Sequence, residues 1–236
     1  MTRNILITGA SRGIGAATMV AIRPEQARVL GHASSDRDGF LGADLAEPGA
    51  GRVLWQRALD AMGGRIDVLV NNAGAFEANL IDADDADWDA GWERGIRVNL
   101  TAAAELCREA VRHWQKTGTG GRIVNVASRA GHRGDSPAHW HYAAAKGGMI
   151  AMTKTIARAY AKDSIYAYAV APGFTMTGMA EDYLEKRGGE KLLADIPLGR
   201  VAEAGEVANA IIYLALFAPP SMTGATLDIN GASYVR

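Results

Sequence analysis

Residues 4–8, Asn-Ile-Leu-Ile-Thr, run directly into Gly9-Ala10-Ser11-Arg12-Gly13-Ile14-Gly15. A short apolar run closed by a turn signal reads as a buried strand. The helical pattern that follows, residues 15–22, stops before Pro24, whose ring cannot continue a helix. A strand that leads through a glycine-rich turn into a helix must return to a parallel neighbour, which commits the chain to a layered α/β architecture. Gly9 permits the tight turn. Gly13 and Gly15 let a pyrophosphate approach the helix N-terminus, where free N–H groups and the helix dipole receive it. Together these features form the opening unit of a dinucleotide fold. The spacing is G-x-x-x-G-x-G rather than G-x-G-x-x-G, so plain turn chemistry is the competing reading of the three glycines.

Strand and helix patterns then alternate to the end. Strands are expected at residues 28–32, 40–43, 67–70, 122–127, 165–170 and 226–229, and helices at 48–62, 92–114, 142–161 and 202–216. Residues 177–194 read as a mostly helical insertion. There is no room for a crossover helix between the second and third strands, so a short coil makes that connection. One doubly wound parallel sheet, forming one domain over residues 1–236, is the economical architecture. The five aspartates of residues 82–89 read as a solvated loop and an acidic helix start rather than a metal site. An asparagine inside an apolar helix, such as Asn99, ordinarily faces solvent or marks a kink.

The charge balance is near neutral, formally -1, which argues against a nucleic-acid partner. The single cysteine, Cys107, excludes an intramolecular disulfide and a multi-cysteine metal site. No apolar run reaches membrane-spanning length, and the first residues show no leader pattern. The expectation is a cytoplasmic protein without a membrane or metal partner.

The chemistry concentrates on Tyr142-Ala-Ala-Ala-Lys146. Four residues apart on a helix, a phenol and an ammonium face the same way, separated by a rise of ~6 Å. A nearby cation favours the phenolate, which brings a phenol towards proton exchange with an alcohol or carbonyl oxygen near neutral pH. Ser128 stands at the C-terminal end of a strand, the edge at which open α/β sheets bind ligands. Beyond the second strand the chain reads Ala33-Ser34-Ser35, with Asp36 and Asp38 slightly later. No acid stands at the strand end for a ribose hydroxyl, and Arg12 and Ser34 lie where a 2′-phosphate would be received. NADP(H) is favoured, with NAD(H) left open through Asp36.

Taken together, Thr8 to Gly15, Asp44-Leu45, Asn71-Asn72-Ala73-Gly74, Asn99, Ser128, Tyr142-x-x-x-Lys146 and Pro172-Gly173 with Thr177 resemble the short-chain dehydrogenase/reductase family. The chain looks closest to its 3-oxoacyl-[acyl carrier protein] reductase branch through residues 171–174, 196–200 and 223–231. The resemblance implies a Rossmann-type sheet of about seven strands with helices on both faces, and a homo-oligomer, tetramer or dimer. It implies Tyr142 as acid/base, Ser128 as a donor to the reacting oxygen, Lys146 on the nicotinamide ribose, and Asn99 anchoring a water. On the cofactor it places Gly9, Ser11, Arg12, Gly13, Ile14, Gly15, Ser34, Asp44, Leu45, Asn71, Ala73, Gly74, Pro172, Gly173, Thr175 and Thr177.

The implied activity is interconversion of a ketone and a secondary alcohol, with a 3-oxoacyl thioester as substrate. The alternatives are a sugar, polyol or cyclic alcohol, or a cofactor-binding regulator without catalysis. An acyl carrier protein partner would meet basic residues at the ends of the two long helices. Lys116 fits, but Asp163 beside Lys162 departs from that pattern. Tyr166 and Tyr168 stand where relatives often carry Arg-Val-Asn, and are expected to change packing there. The pocket is expected between residues 128–139, Phe174 and residues 177–196. The loop bearing Arg129, His132, Arg133, His139 and His141 reads as a solvated loop, or as a receiver of a carboxylate or phosphate.

Overall fold

The computed structural model describes residues 2–176 and 193–236. In chain order it contains β1 (Arg3–Ile7), α1 (Gly13–Ala21), β2 (Ala27–Ala33), β3 (Phe40–Gly42), α2 (Ala50–Ala61) and β4 (Val68–Asn71). Next come α3 (Asp85–Ile96), a π-helical turn (Arg97–Thr101), α4 (Ala102–Thr117), β5 (Gly121–Val126), the short α5 (Ala130–Arg133), α6 (Trp140–Tyr160) and β6 (Ile165–Pro172). After the small strands β7 (Thr175–Met176) and β8 (Ala202–Glu203), α7 (Ala204–Ile212) precedes β9 (Thr226–Ile229).

Seven strands pair in the order β3-β2-β1-β4-β5-β6-β9, every pair parallel. A parallel sheet is covered on both faces, so its strands are apolar at successive positions. Leu6, Leu69 and Ile123 pack under α2 and α4, with Leu54, Leu106 and Trp114. Their neighbours Ile5, Ile7, Val68, Val70 and Val124 face the other way, onto Val207 and Ile211 of α7 and onto Ile14 and Met19 of α1. This is a Rossmann-type doubly wound sheet. Strand order reverses between β1 and β4, which opens a crevice at their C-terminal ends.

Between β2 and β3 the chain makes its parallel return in residues 34–39 alone, with Gly31 opposite Phe40. The missing crossover helix is therefore real. Tyr168 is fully buried in β6 with its hydroxyl unpaired, so it contributes packing to the core and no hydrogen bond.

Two expectations need correction. The helix expected over residues 92–114 begins earlier, at Asp85, where the Asp84 side chain caps it by accepting from the Asp87 N–H at 2.9 Å. It then passes through the π-helical turn and runs on to Thr117. Asn99 lies in that turn fully buried, so it is a kink residue and does not face solvent. The helix expected over 202–216 keeps α-geometry only over Ala204–Ile212 and continues as a π-helical turn, Tyr213–Phe217. The insertion read at 177–194 falls almost wholly outside the described residues. No described helix is long and apolar enough to cross a membrane. Among the described residues, no group of three or more His, Cys, Asp or Glu is placed to hold a metal ion.

Candidate active site

The C-terminal ends of β1, β2, β4, β5 and β6 carry the candidate residues to one edge of the sheet. At β1 the turn is fixed from below. Gly9 has φ +62°, a left-handed conformation that favours glycine. The Gly9 N–H donates to His32 Nδ1 at 3.1 Å, and the Ala10 N–H to the His32 carbonyl at 2.8 Å. An Nδ1 that accepts places the proton on Nε2, which donates to the Ala43 carbonyl at 2.9 Å. Burial lowers the His32 pKa and keeps the ring neutral in this role. From the other side, Asn72 Nδ2 donates to the Thr8 and Gly9 carbonyls, both at 2.9 Å. The Thr8 hydroxyl accepts from the Asn72 and Ala73 N–H groups, each at 3.0 Å.

A side chain on Gly15 would strike the Gly9 carbonyl oxygen and come within 2.6 Å of Asn72 Nδ2. Gly15 therefore serves the packing of the turn as much as any ligand. Its neighbour Ile14 packs against the core under α1. The α1 N-terminus has neither a side-chain cap nor an acid in its first turn, so its N–H groups stay available to an anion. Ser11 lies beside them in the turn, and Arg12 at the N-cap position is exposed, without a side-chain partner among the described residues.

Ser34 is exposed just past β2. Asp36, which could have reached a ribose, is committed elsewhere: its Oδ1 accepts from the Gly42 N–H at 2.8 Å and from Arg57 Nη2 at 3.0 Å. Those two donors hold its carboxyl below the ordinary range. Asp44 is exposed and closes its own turn by accepting from the Ala46 N–H at 2.9 Å. Leu45 is buried in the core, so its side chain does not present a face to a ligand.

Asn71 needs a further correction. Its side chain does not line the edge but points into the protein, donating to Asn125 Oδ1 at 2.8 Å and to Cys107 Sγ at 3.2 Å. Asn125 then donates to the Thr153 hydroxyl at 2.8 Å, tying β4, β5 and α6 together. Burial pushes the Cys107 thiol up to about 12, so it is inert. Ala73 and exposed Gly74 do lie at the edge.

A Cβ on Gly74 would lie 2.9 Å from Asn99 Oδ1 and 3.6 Å from Lys146 Nζ, so this glycine sits over both groups. Asn99 Nδ2 donates to the Gly95 carbonyl at 3.0 Å and the Ala75 carbonyl at 2.9 Å, while its Oδ1 accepts from the Ala75 N–H at 3.1 Å. The π-helical turn interrupts the normal ladder, and the Asn99 amide takes up the Gly95 carbonyl.

Lys146 is buried, and Nζ donates to the Val126 carbonyl at 2.8 Å. Burial lowers its pKa to about 8. Nζ lies 5.6 Å from the centroid of the Tyr142 ring. The phenol itself is pushed up to about 12 by burial, and a hydrogen bond with Ser128 works in the opposite direction. The lowering expected from the lysine is not what governs this phenol: desolvation dominates, and the ammonium sits over the ring face rather than beside the hydroxyl. Ser128 also accepts from the Ala130 N–H at 3.1 Å.

At β6, Pro172 accepts from the Arg129 N–H at 2.9 Å, and Gly173 donates to the Ile229 carbonyl at 2.9 Å. Thr175 is buried and turns its hydroxyl back onto the Gly173 carbonyl at 3.2 Å. Thr177 lies outside the described residues. The basic loop is tied down by ion pairs and ring contacts. Arg129 and Arg133 share Asp195 Oδ2 at 3.3 and 2.9 Å, Arg129 stacks on Phe174, and His132 stacks on Tyr234. The sequence reading missed His32 and Asn72 as supports of the glycine turn. Asn72 stood inside a quoted motif, but nothing local marked His32.

The uncapped helix start, an Arg12 unpaired among the described residues, and the exposed Gly74 beside Lys146 suit a dinucleotide, whose pyrophosphate and ribose need an anion site and donors. Residues 9–232 match the family model described as enoyl-(acyl carrier protein) reductase. The chain is 35% identical to the 3-oxoacyl-[acyl-carrier-protein] reductase FabG of Escherichia coli K12 over 243 residues, covering 98% of this chain and 96% of the relative. It is 35% identical to the FabG of Vibrio cholerae, with 98% and 96% covered, and 36% identical to nodulation protein G of Rhizobium sp. N33, with 97% and 96% covered. With matches over nearly its whole length and a tyrosine–lysine pair at the sheet edge, the chain belongs to the short-chain dehydrogenase/reductase family of NAD(P)-dependent oxidoreductases.

Proposed function

We propose that the protein is an NADP(H)-dependent ketoreductase that reduces the 3-oxo group of an acyl thioester to a secondary alcohol, in one domain spanning residues 1–236. The observation that carries this reading is the pair of half-buried Tyr142 and buried Lys146. The Tyr142 phenol is held protonated, with a pKa of about 12, beside Ser128, over a Lys146 that is still charged at neutral pH with a pKa of about 8. A protonated phenol is the form that reduction needs, because it donates. The bound nicotinamide supplies the hydride. As negative charge grows on the carbonyl oxygen, Ser128 and Tyr142 donate to it, and the Tyr142 proton passes to that oxygen.

An ammonium has three donors, and Lys146 uses one on the Val126 carbonyl, so two remain for the nicotinamide ribose hydroxyls. Asn99, fixed by both its side-chain atoms, would hold a water near Lys146 for reprotonation. Arg12 and Ser34 would receive a 2′-phosphate. The diversion of Asp36 onto Gly42 and Arg57 removes the nearby acid that would select an unphosphorylated ribose. The relatives' names, 3-oxoacyl-[acyl-carrier-protein] reductases, support the thioester and an acyl carrier protein as its bearer. A homo-oligomer follows from the same likeness.

The test is Tyr142→Phe. Its NADPH Kd, read by cofactor fluorescence, should stay near that of the wild type, while kcat on acetoacetyl-CoA falls by roughly 10³-fold. A variant that keeps wild-type turnover removes the phenol from the chemistry.

A further inference from the structure

Beside the phenol stands an aromatic wall to which the proton chemistry gives no part. Phe76 meets the Tyr142 ring edge to face, with centroids 4.9 Å apart and planes at 81°. The same Phe76 ring lies flat on His139, at 3.8 Å and 3°. His139 occupies the N-cap position of α6, three residues before Tyr142, so both side chains emerge on one side of the helix start. His139 Nδ1 is fixed by the Ser136 hydroxyl at 2.7 Å. The Asn79 N–H donates to the Ala138 carbonyl at 2.8 Å and latches the two backbone segments together. The Asn79 side chain is held in turn by the Trp88 carbonyl at 3.0 Å. These bonds fix His139 and the backbone on either side of the stack, Phe76 is held by its ring contacts with His139 and Tyr142, and 37% of the Phe76 surface stays exposed.

We propose that Phe76 and His139 act as one specificity-determining wall that sets which carbonyl substituent can lie beside Tyr142. Unbranched apolar groups are accepted, and branched, cyclic and polyhydroxylated groups are turned away. This rests on the ketoreductase reading given above. A ring backed by the fixed His139 narrows the space beside the reacting oxygen, so branching there meets it as overlap rather than as contact. Phe76 offers no hydrogen-bond partner, so a hydroxyl pressed against it loses water without replacement. An unbranched methylene next to the carbonyl gains apolar contact instead.

The experiment compares kcat/KM with NADPH for the wild type, Phe76→Ala, Phe76→Leu and His139→Ala. The substrates are plain ketones: an unbranched chain, a chain branched beside the carbonyl, a ring ketone and a polyhydroxylated ketone. One 3-oxoacyl thioester is assayed alongside. The wild type should prefer the unbranched ketone. Phe76→Ala should raise the ratio of branched or ring ketone to unbranched ketone by about tenfold or more, the scale that a hydrophobic pocket contact commands.

His139→Ala should move the same ratio in the same direction, because the slab loses its backing. Phe76→Leu removes the stack while keeping most of the volume, and it carries the test if the alanine variant does not fold. A ratio that stays fixed while all ketones slow alike overturns the proposal, as does a wild type that prefers the polyhydroxylated ketone. Because the ratio is taken among plain ketones, failure on the thioester alone strikes the substrate reading and leaves the wall standing.

Discussion

The glycine turn after β1 and the wall beside Tyr142 are built by different means. The turn is a backbone cradle in which small residues leave no spare room and the His32, Asn72 and Thr8 side chains bind the main chain directly. Gly9 and Ala10 bond to His32, Asn72 spans the Thr8 and Gly9 carbonyls, and Gly15 leaves no room for a Cβ. The substrate side is held by side chains from distant parts of the chain: Phe76 on His139 in the wall and, separately, Arg129 and Arg133 on Asp195. A backbone cradle tolerates almost no change, whereas a side-chain wall can be retuned piece by piece.

The largest effect should come from breaking the cradle at its tightest point. In Gly15→Ala the new methyl meets the Gly9 carbonyl and the Asn72 amide, neither of which can withdraw without losing bonds. Overpacking of this kind costs about 3 kcal/mol, which for a chain of this size lowers Tm by roughly 6–12 °C. Calorimetry would read the first effect, and NADPH titration should show affinity falling alongside. A variant with wild-type Tm and affinity would mean that the turn is as adaptable as the wall, and the contrast would collapse.

Arg12→Ala tests the cradle's exposed rim. Arg12 is solvent-facing and has no partner among the described residues, so stability should hold. Loss of one charge-assisted contact to a 2′-phosphate should raise the NADPH KM by roughly tenfold and leave the NADH KM nearly unchanged. Steady-state kinetics with both cofactors would settle it. Equal effects on the two would point back to the pyrophosphate, and a wild-type preference for NADH would release Asp36 from the role its hydrogen bonds suggest.

The same contrast explains what could be read from the sequence. The β1 turn was legible because glycine at a left-handed φ and at a close approach is a residue-type code. β9 was found at its observed limits because apolar runs closed by turn residues mark buried strands. The family motifs name Ser128, Tyr142 and Lys146, and Lys146 reaches the Val126 carbonyl at the C-terminal end of β5, two residues before Ser128. The π-helical turn was not legible: periodicity averages over it, and only the Asn99 amide on the Gly95 carbonyl reveals it. Asn71 was misplaced because adjacent residues in a strand point to opposite faces, and a motif does not say which asparagine turns inward. The phenol pKa went the wrong way because helical spacing gives the distance to a cation but says nothing of burial. The wall was invisible because Phe76 and His139 meet only in the folded chain.

The smallest effect belongs to the ion pairs of the loop that follows Ser128. Asp195 Oδ2 accepts from Arg133 at 2.9 Å and from Arg129 at 3.3 Å, and its side chain is 47% exposed. Asp195→Asn keeps an acceptor oxygen and removes the charge. A half-exposed ion pair contributes about 1 kcal/mol or less, so Tm should fall by no more than about 2–4 °C. Arg129 is the more sensitive partner: its side chain is 11% exposed, and burial already lowers its pKa. It follows Ser128 directly and lies over the Phe174 ring, so freeing it should alter substrate KM before it alters NADPH affinity. A thermal scan paired with both KM values separates the two regions. A loss of stability as large as that of Gly15→Ala would show that the substrate side is as rigidly specified as the cradle, and that its tolerance of change was misjudged.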